Sequence, residues 1–240
     1  MEVTVIASGS KGNCTLIKTS NKNILIDAGI TASAIKKRIG AVPKIDLLLL
    51  THLHIDHIAG LSSIAKKIKC PICTPITDIK DLTSLPVFNE SIYQDKDLEI
   101  TFFPLSHDVE CYGILIKDAS KELVYITDTG YLSLKNLKLI KNKDMYIIES
   151  NHDINKLMNG SYPFYLKQRI LGDSGHLSNS STAQYIKKIV GNRTKNIILA
   201  HLSEENNTEE LAYEEVSKVI NDQVVLHIAK QHEALELIEV

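Results

Sequence analysis

The tightest constraint on this chain is the run Asp46-Leu47-Leu48-Leu49-Leu50-Thr51. Its apolar residues are contiguous and do not alternate, so residues 46–51 are expected to form a strand buried on both faces. The run Met145-Tyr146-Ile147-Ile148-Glu149 reads the same way over residues 145–149. Antiparallel meanders are expected at residues 2–8, 14–19 and 23–27, and again at 98–105, 111–116 and 122–127, with a hairpin turn at 117–121. Further strands are expected at 71–74, 196–200, 224–229 and 234–238. Helices are expected over 31–39, 56–68, 134–141, 179–190 and 208–220, and over 151–171 with a break at Pro163. Meanders mixed with strand–helix units predict an α/β sandwich of two mixed sheets faced by helices.

Composition narrows the function classes. The 240 residues are 44% hydrophobic and 23% charged, enough for one sizeable core and too apolar for a disordered chain. Without a low-complexity linker, internal repeat or long charge block, residues 1–240 read as a single domain. Lys plus Arg total 27 against 29 Asp plus Glu, a net charge of -2 that excludes strong global attraction to nucleic acid but not a local basic face. Two local basic stretches, Lys135, Lys138, Lys141 and Lys143, then Lys187, Lys188, Arg193 and Lys195, are more often solvated helix faces. Cys14, Cys70, Cys73 and Cys111 are too few for a disulfide scaffold, and Cys70-Pro71-Ile72-Cys73, a lone C-x-x-C, reads as packing. Met1-Glu2-Val3-Thr4-Val5 has neither a basic nor an apolar leader region, and no apolar run reaches membrane-spanning length. A cytoplasmic enzyme is expected.

The chemistry concentrates in Thr51-His52-Leu53-His54-Ile55-Asp56-His57, directly after the buried strand. Three imidazoles and a carboxylate at a strand-to-helix junction suit Zn2+, which takes both donor types. His52 and His54, two residues apart in extended backbone, point to one side, and Asp56 and His57 open the next helix toward a second metal. A surface-loop reading would serve for a lone His and fails for this cluster. Further ligand-type residues stand at expected strand ends: Asp27, His107, Asp128 and His201. Together they supply donors for two metals, with Asp128 placed to bridge them.

These motifs resemble the metallo-β-lactamase superfamily, and most closely its YycJ (WalJ) branch. The matching stretches are Ser8-Gly9-Ser10-Lys11-Gly12-Asn13-Cys14, Asp27-Ala28-Gly29, Glu149-Ser150-Asn151-His152-Asp153, Gly175-His176-Leu177-Ser178-Asn179 and His201-Leu202-Ser203-Glu204-Glu205-Asn206-Asn207. Leu53 and Ile55, the spacers of the cluster, depart from the branch pattern but make no metal bond. The resemblance implies an αββα sandwich with a dinuclear centre holding two divalent ions, Zn2+ or else Mn2+. It implies His52, His54 and His107 around one metal, Asp56, His57 and His201 around the other, Asp128 between them, and Asp27 fixing a ligand imidazole from behind. His176 and His227 compete with His201 for its place, but only His201 ends a strand.

The resemblance further implies 5′-to-3′ exonuclease action on double-stranded DNA through a hydroxide shared by the metals, with DNA preferred over RNA. The loop around His176 is similar to that of the ribonuclease Z branch, where such a His lies near the scissile phosphate. Glu149 resembles the acid that orients it. Asp56, His176 and Glu149 are therefore the expected catalytic residues. A capping role for His176 is the plain alternative, and His152 and Asp153 are open between substrate contact and cap. The competing functions are a small-molecule phosphodiesterase and a glyoxalase II-type thioesterase on the same scaffold.

Overall fold

The structure, a computed structural model, describes residues 1–240 apart from the side chain of Lys80. One sheet contains β1 (Glu2–Ala7), β2 (Cys14–Lys18), β3 (Asn23–Ile26), β4 (Leu47–Leu49), β5 (Ile72–Cys73) and β6 (Val87–Phe88). The other contains β7 (Ile92–Asp95), β8 (Leu98–Pro104), β9 (Tyr112–Asp118), β10 (Lys121–Ile126), β11 (Met145–Glu149), β12 (Asn196–Ala200) and β13 (Val225–Ile228). The last strand, β14 (Ile238–Glu239), returns to the first sheet and pairs antiparallel with β1. Both sheets are mixed: β1–β2–β3 and β7 to β10 are antiparallel meanders, whereas β3 to β6 and β10 to β13 run parallel.

The contiguous apolar runs have a simple cause. In β4, Leu47 and Leu49 point between the sheets while Leu48 and its follower Leu50 point outward under helices. In β11, Met145 and Ile147 join the intersheet core, and Tyr146 and Ile148 join the outer one. Each run is buried on both faces because its sheet is covered on both. The outer face of the first sheet packs around α1 (Ala32–Ile39) and α3 (Leu61–Lys67), which supply Ile35 and Ile64. The second sheet is covered by α7 (Asn179–Ile189) and α8 (Glu209–Ser217), which supply Ile186 and Val216. Two mixed sheets faced by helices is the expected class.

Several element boundaries differ from expectation. The helix expected over 56–68 is two: α2 (Ile55–Ile58) and α3, broken at Gly60. A Cβ on Gly60 would lie 1.9 Å from the Ile30 carbonyl oxygen, so the break lets the chain pass against that loop. After α4 (Leu134–Leu139), the helix expected from residue 151 begins only with α5 (Ile154–Asn159). Asn151 and His152 instead continue the strand end, where His152 bridges to Ser178 and Asp153 caps α5 by accepting from Lys156 N. The break at Pro163 holds, and α6 (Phe164–Leu171) follows it. The expected hairpin turn shortens to Ala119-Ser120 between β9 and β10, with Ala119 at φ 51°. Most of 234–238 is irregular, and β6, β7 and a 3-10 helix at Asp78–Leu82 come from a stretch without a clear periodic signal.

Candidate metal centre

The site sits where strand after strand ends on one side of the sandwich. Asp27 follows β3, His52 and His54 follow β4, His107 follows β8, Asp128 follows β10, Glu149 ends β11 and His201 follows β12. Asp27, Asp128 and His201 all take left-handed backbone, at φ 58°, 60° and 56°, so the chain turns sharply at three strand ends. Such backbone costs a non-glycine residue energy and clusters at functional sites. Gly29 closes the same corner: a Cβ there would lie 1.8 Å from the Asp56 carbonyl oxygen. Only a residue without one lets the Asp27 loop lie against α2, which carries Asp56 and His57.

Five imidazoles share one logic: one ring nitrogen is tied from outside and the other faces inward. His57 Nδ1 lies 2.7 Å from Asp27 Oδ2, and His52 Nδ1 lies 3.0 Å from Thr51 Oγ1. His201 Nδ1 lies 2.9 Å from Glu149 Oε1, His107 Nδ1 lies 3.3 Å from the Gly175 carbonyl, and His54 Nε2 lies 3.3 Å from Asp108 Oδ1. Asp27 is fully buried and also accepts from Thr51 N at 2.9 Å and from Thr51 Oγ1. An outer partner of this kind fixes the tautomer and aims the inner lone pair.

The inward atoms converge. His54 Nδ1 and His107 Nε2 are 3.2 Å apart, and with His52 they form one group of three donors. His57 Nε2 lies 3.5 Å from Asp56 Oδ2, and His201 Nε2 lies 3.4 Å from the same oxygen, completing a second group. Asp128 reaches 3.2 Å from His57 Nε2 with Oδ2 and 3.5 Å from His201 Nε2 with Oδ1, and it also groups with His52. The donor set fits two divalent cations, because among the described residues the buried His52 Nε2, aimed at this cluster, has no hydrogen-bond partner. Uncapped buried donors are costly unless something binds them. The centre is a candidate dimetal site.

The electrostatics agree. Burial, reinforced by His57, pushes His52 down to about 2, so it stands neutral with its lone pair available. Burial would lower His201 as well, but Asp128, with Asp56 and Glu149, lifts it to about 10. His57 is raised against its burial by Asp27 and Asp128, and Asp128 is held well below the carboxylate range, against burial, by His201, His57 and His52. The carboxylates thus demand positive charge at the inward nitrogens, and a divalent cation competes with those protons for the same lone pairs.

His176 stands on the rim, its Nδ1 2.7 Å from Glu149 Oε1 and 3.7 Å from Asp128 Oδ1. Glu149 therefore serves two imidazoles with one oxygen, and its other oxygen accepts from Thr129 N and Leu177 N at 3.1 Å. Ser178, not His176, caps α7, accepting from Ser181 N at 3.1 Å. The cleft, about 240 Å3, is lined by His54, His107, Asp128, His176, His201 and Arg169 among others. A larger cleft of about 480 Å3 beside α8 is lined by Glu204, Glu209 and Lys230 and holds none of the donor groups.

Every ligand-type residue named from sequence lies in this one place, while His227 bonds Asn196 Oδ1 and exposed His232 meets Glu204. Asn13, from the Ser8-to-Asn13 loop, reaches His57 Nε2 at 2.9 Å and Asp56 Oδ2 at 3.2 Å. Sequence reasoning missed Asp108 and Arg169. Arg169 on α6 pairs with Asp108, which touches both His54 and His107. Its one sequence signal is adjacency to His107. In the basic stretches, Lys143 pairs with Glu122, and Arg193 with Glu122 and Asp144, so these cations brace the fold.

Strand-end donors on a two-sheet sandwich define a metallo-hydrolase architecture, and the Beta-lactamase superfamily domain model matches residues 22–202. The chain belongs to that family. It is 37% identical over 228 residues to Exodeoxyribonuclease WalJ of Streptococcus pneumoniae, covering 87% of this chain and 84% of that one. It is 34% identical over 237 residues to Exodeoxyribonuclease YycJ of Bacillus anthracis, covering 92% and 90%. The crystal structure of the metallo-beta-lactamase fold protein YhfI from Bacillus subtilis superposes with a TM-score of 0.74 at 23% identity, covering 98% of this chain and 99% of that one.

Proposed function

We propose that this chain is a two-metal phosphodiester hydrolase that degrades double-stranded DNA from its 5′ ends. The observation that carries the proposal is the His176–Glu149 pair, set beside seven inward donors of which five line one cleft. Similarity to two proteins named exodeoxyribonucleases, over most of the chain, supports DNA as the substrate. His52, His54 and His107 would hold one ion, Asp56, His57 and His201 the other, and Asp128 both. Bound there, two divalent ions supply Lewis-acid stabilisation of phosphoryl charge and activation of water. Five imidazoles with two carboxylates suit Zn2+, and Mn2+ is the rival for a mixed nitrogen and oxygen site.

The residues then divide the work. Asp56, ionised and partly open to the cleft, accepts from the attacking water and orients it. Glu149 holds the His176 ring through Nδ1, leaving Nε2 to meet the departing oxygen. Against its burial, Glu149 lifts His176 above its ordinary value, which favours the protonated form that donates to that oxygen. All four cysteines are free and buried, which suits a reducing cytoplasm, and among the described residues no helix is long and apolar enough to cross a membrane.

The test is release of label from 5′-labelled duplex DNA with Zn2+, Mn2+ or a chelator, beside His54→Ala. Metal-dependent release of 5′ nucleotides that His54→Ala lacks is the expected result. Fully metallated protein that leaves the duplex intact would overturn the proposal in favour of small phosphodiesters or thioesters.

A further inference from the structure

The segment from α5 through α6 buries a single side chain, Leu157. No residue of α6 is buried, and Tyr165 at 75% and Phe164 at 69% are more exposed than any other aromatic side chain. Yet this helix is fastened to the metal centre at its far end. The Ile170 carbonyl accepts from His176 N at 3.0 Å, and Arg169 pairs with Asp108. Gly175 permits the approach, since a Cβ there would lie 2.2 Å from the Ile170 carbonyl oxygen. The helix is thus anchored beside His176 and carries exposed rings outward from it.

Its charge is one-sided. Residues 154–172 hold Lys156, Lys167 and Arg169 and no acidic residue, in a chain of net charge -2. Among the described residues, Lys156 and Lys167 meet backbone carbonyls rather than carboxylates, of Glu205 for the first and of Met158 and Gly160 for the second. Among the described residues neither forms an ion pair with a carboxylate. Leu166 and Ile170, one turn apart, line the cleft together with Tyr162. Tyr165 stands one turn before Arg169, on the neighbouring stripe of the same helix.

An exposed ring beside a phosphodiesterase cleft, on a segment whose two lysines meet carbonyls rather than carboxylates, matches how single-stranded and frayed nucleic acid is held. Bases stack on aromatic rings irrespective of sequence, while cations follow the backbone. We propose that α6 is the DNA-end platform of this enzyme: Tyr165 stacks on the terminal base, and Lys167, which pairs with no carboxylate, follows the phosphates leading toward the cleft. This rests on the exonuclease reading and gives it a means of engaging an end. A smooth duplex side offers no base face for Tyr165, so the platform selects ends over interior sites.

The experiment uses a duplex with 2-aminopurine at its 5′-terminal nucleotide and phosphorothioate linkages that resist cleavage. Wild-type and Tyr165→Phe protein are expected to quench the emission, and Tyr165→Ala is expected not to. On cleavable duplex, Tyr165→Ala should raise KM about tenfold while changing kcat less than about twofold, a split that a merely structural defect would not produce. Tyr165→Ala that quenches and keeps its KM, while wild-type protein degrades DNA, overturns the platform and leaves the exonuclease standing. Wild-type protein that neither quenches nor degrades the duplex overturns both. A concentration-dependent dimer abolished by Tyr165→Ala, with KM unmoved, overturns it in favour of a second copy of the chain as the occupant.

Discussion

Replacing Asp27 with Asn separates the aiming of a ligand from the making of the fold. Asp27 is buried completely and holds three groups: His57 Nδ1 at 2.7 Å, Thr51 N at 2.9 Å and Thr51 Oγ1. Asn is the same size and tolerates the left-handed backbone at φ 58° as well as Asp does. Its oxygen can still accept from Thr51 N, but its amide then faces His57 Nδ1 with a donor. His57 must accept there, which moves its own proton to Nε2, the nitrogen that points to Asp56 and Asp128. A protonated Nε2 cannot bind a cation. Loss of such an outer partner typically weakens metal binding about 10- to 100-fold, or roughly 1.4 to 2.7 kcal/mol. The expected result in a chelator-competition titration with Zn2+ is one tight equivalent retained and the other weakened by that factor. Circular dichroism should report the wild-type fold. Two equivalents at wild-type affinity in Asp27→Asn would refute the argument that Asp27 sets the tautomer.

Other consequences follow from the same geometry. His176→Ala should keep both metals and lose about 100- to 10,000-fold in kcat, and normal turnover would remove His176 from the chemistry. Asp108→Ala frees His54 Nε2 and should weaken the cation held by His52, His54 and His107 about tenfold, read by the same titration. Leu49→Ala opens a cavity in the intersheet core and should cost about 2 to 5 kcal/mol, read by denaturant unfolding of the metal-free protein. A chelator should lower the thermal midpoint, because a cation that binds only the folded state stabilises it; an unchanged midpoint would mean that the donors do not bind.

The architecture was legible because its signals are local. A contiguous apolar run such as Leu47 to Leu50 marks a strand covered on both sides, and polar residues following such runs mark where the sheets end. His52, His54, His107, Asp128 and His201 could therefore be collected from strand ends without knowing how the strands paired. What escaped depends on distance. The Asp108–Arg169 pair spans 61 residues, and neither partner has a periodic context that marks it. The split of α2 from α3 escaped because Gly60 is tolerable within a helix; its reason is the Ile30 carbonyl packed against it, a tertiary contact. β6 and β7 escaped for a third reason: at two and four residues they are too short for periodicity, and neither belongs to a contiguous apolar run like that of β4.

The most direct test of the account adds metal stepwise to metal-free protein and follows both bound equivalents and the rate of 5′-end release from duplex DNA. The account predicts a rate that climbs with the second equivalent and levels off at two per chain. Nucleotide release by the metal-free protein, or none from protein holding two ions, would contradict it.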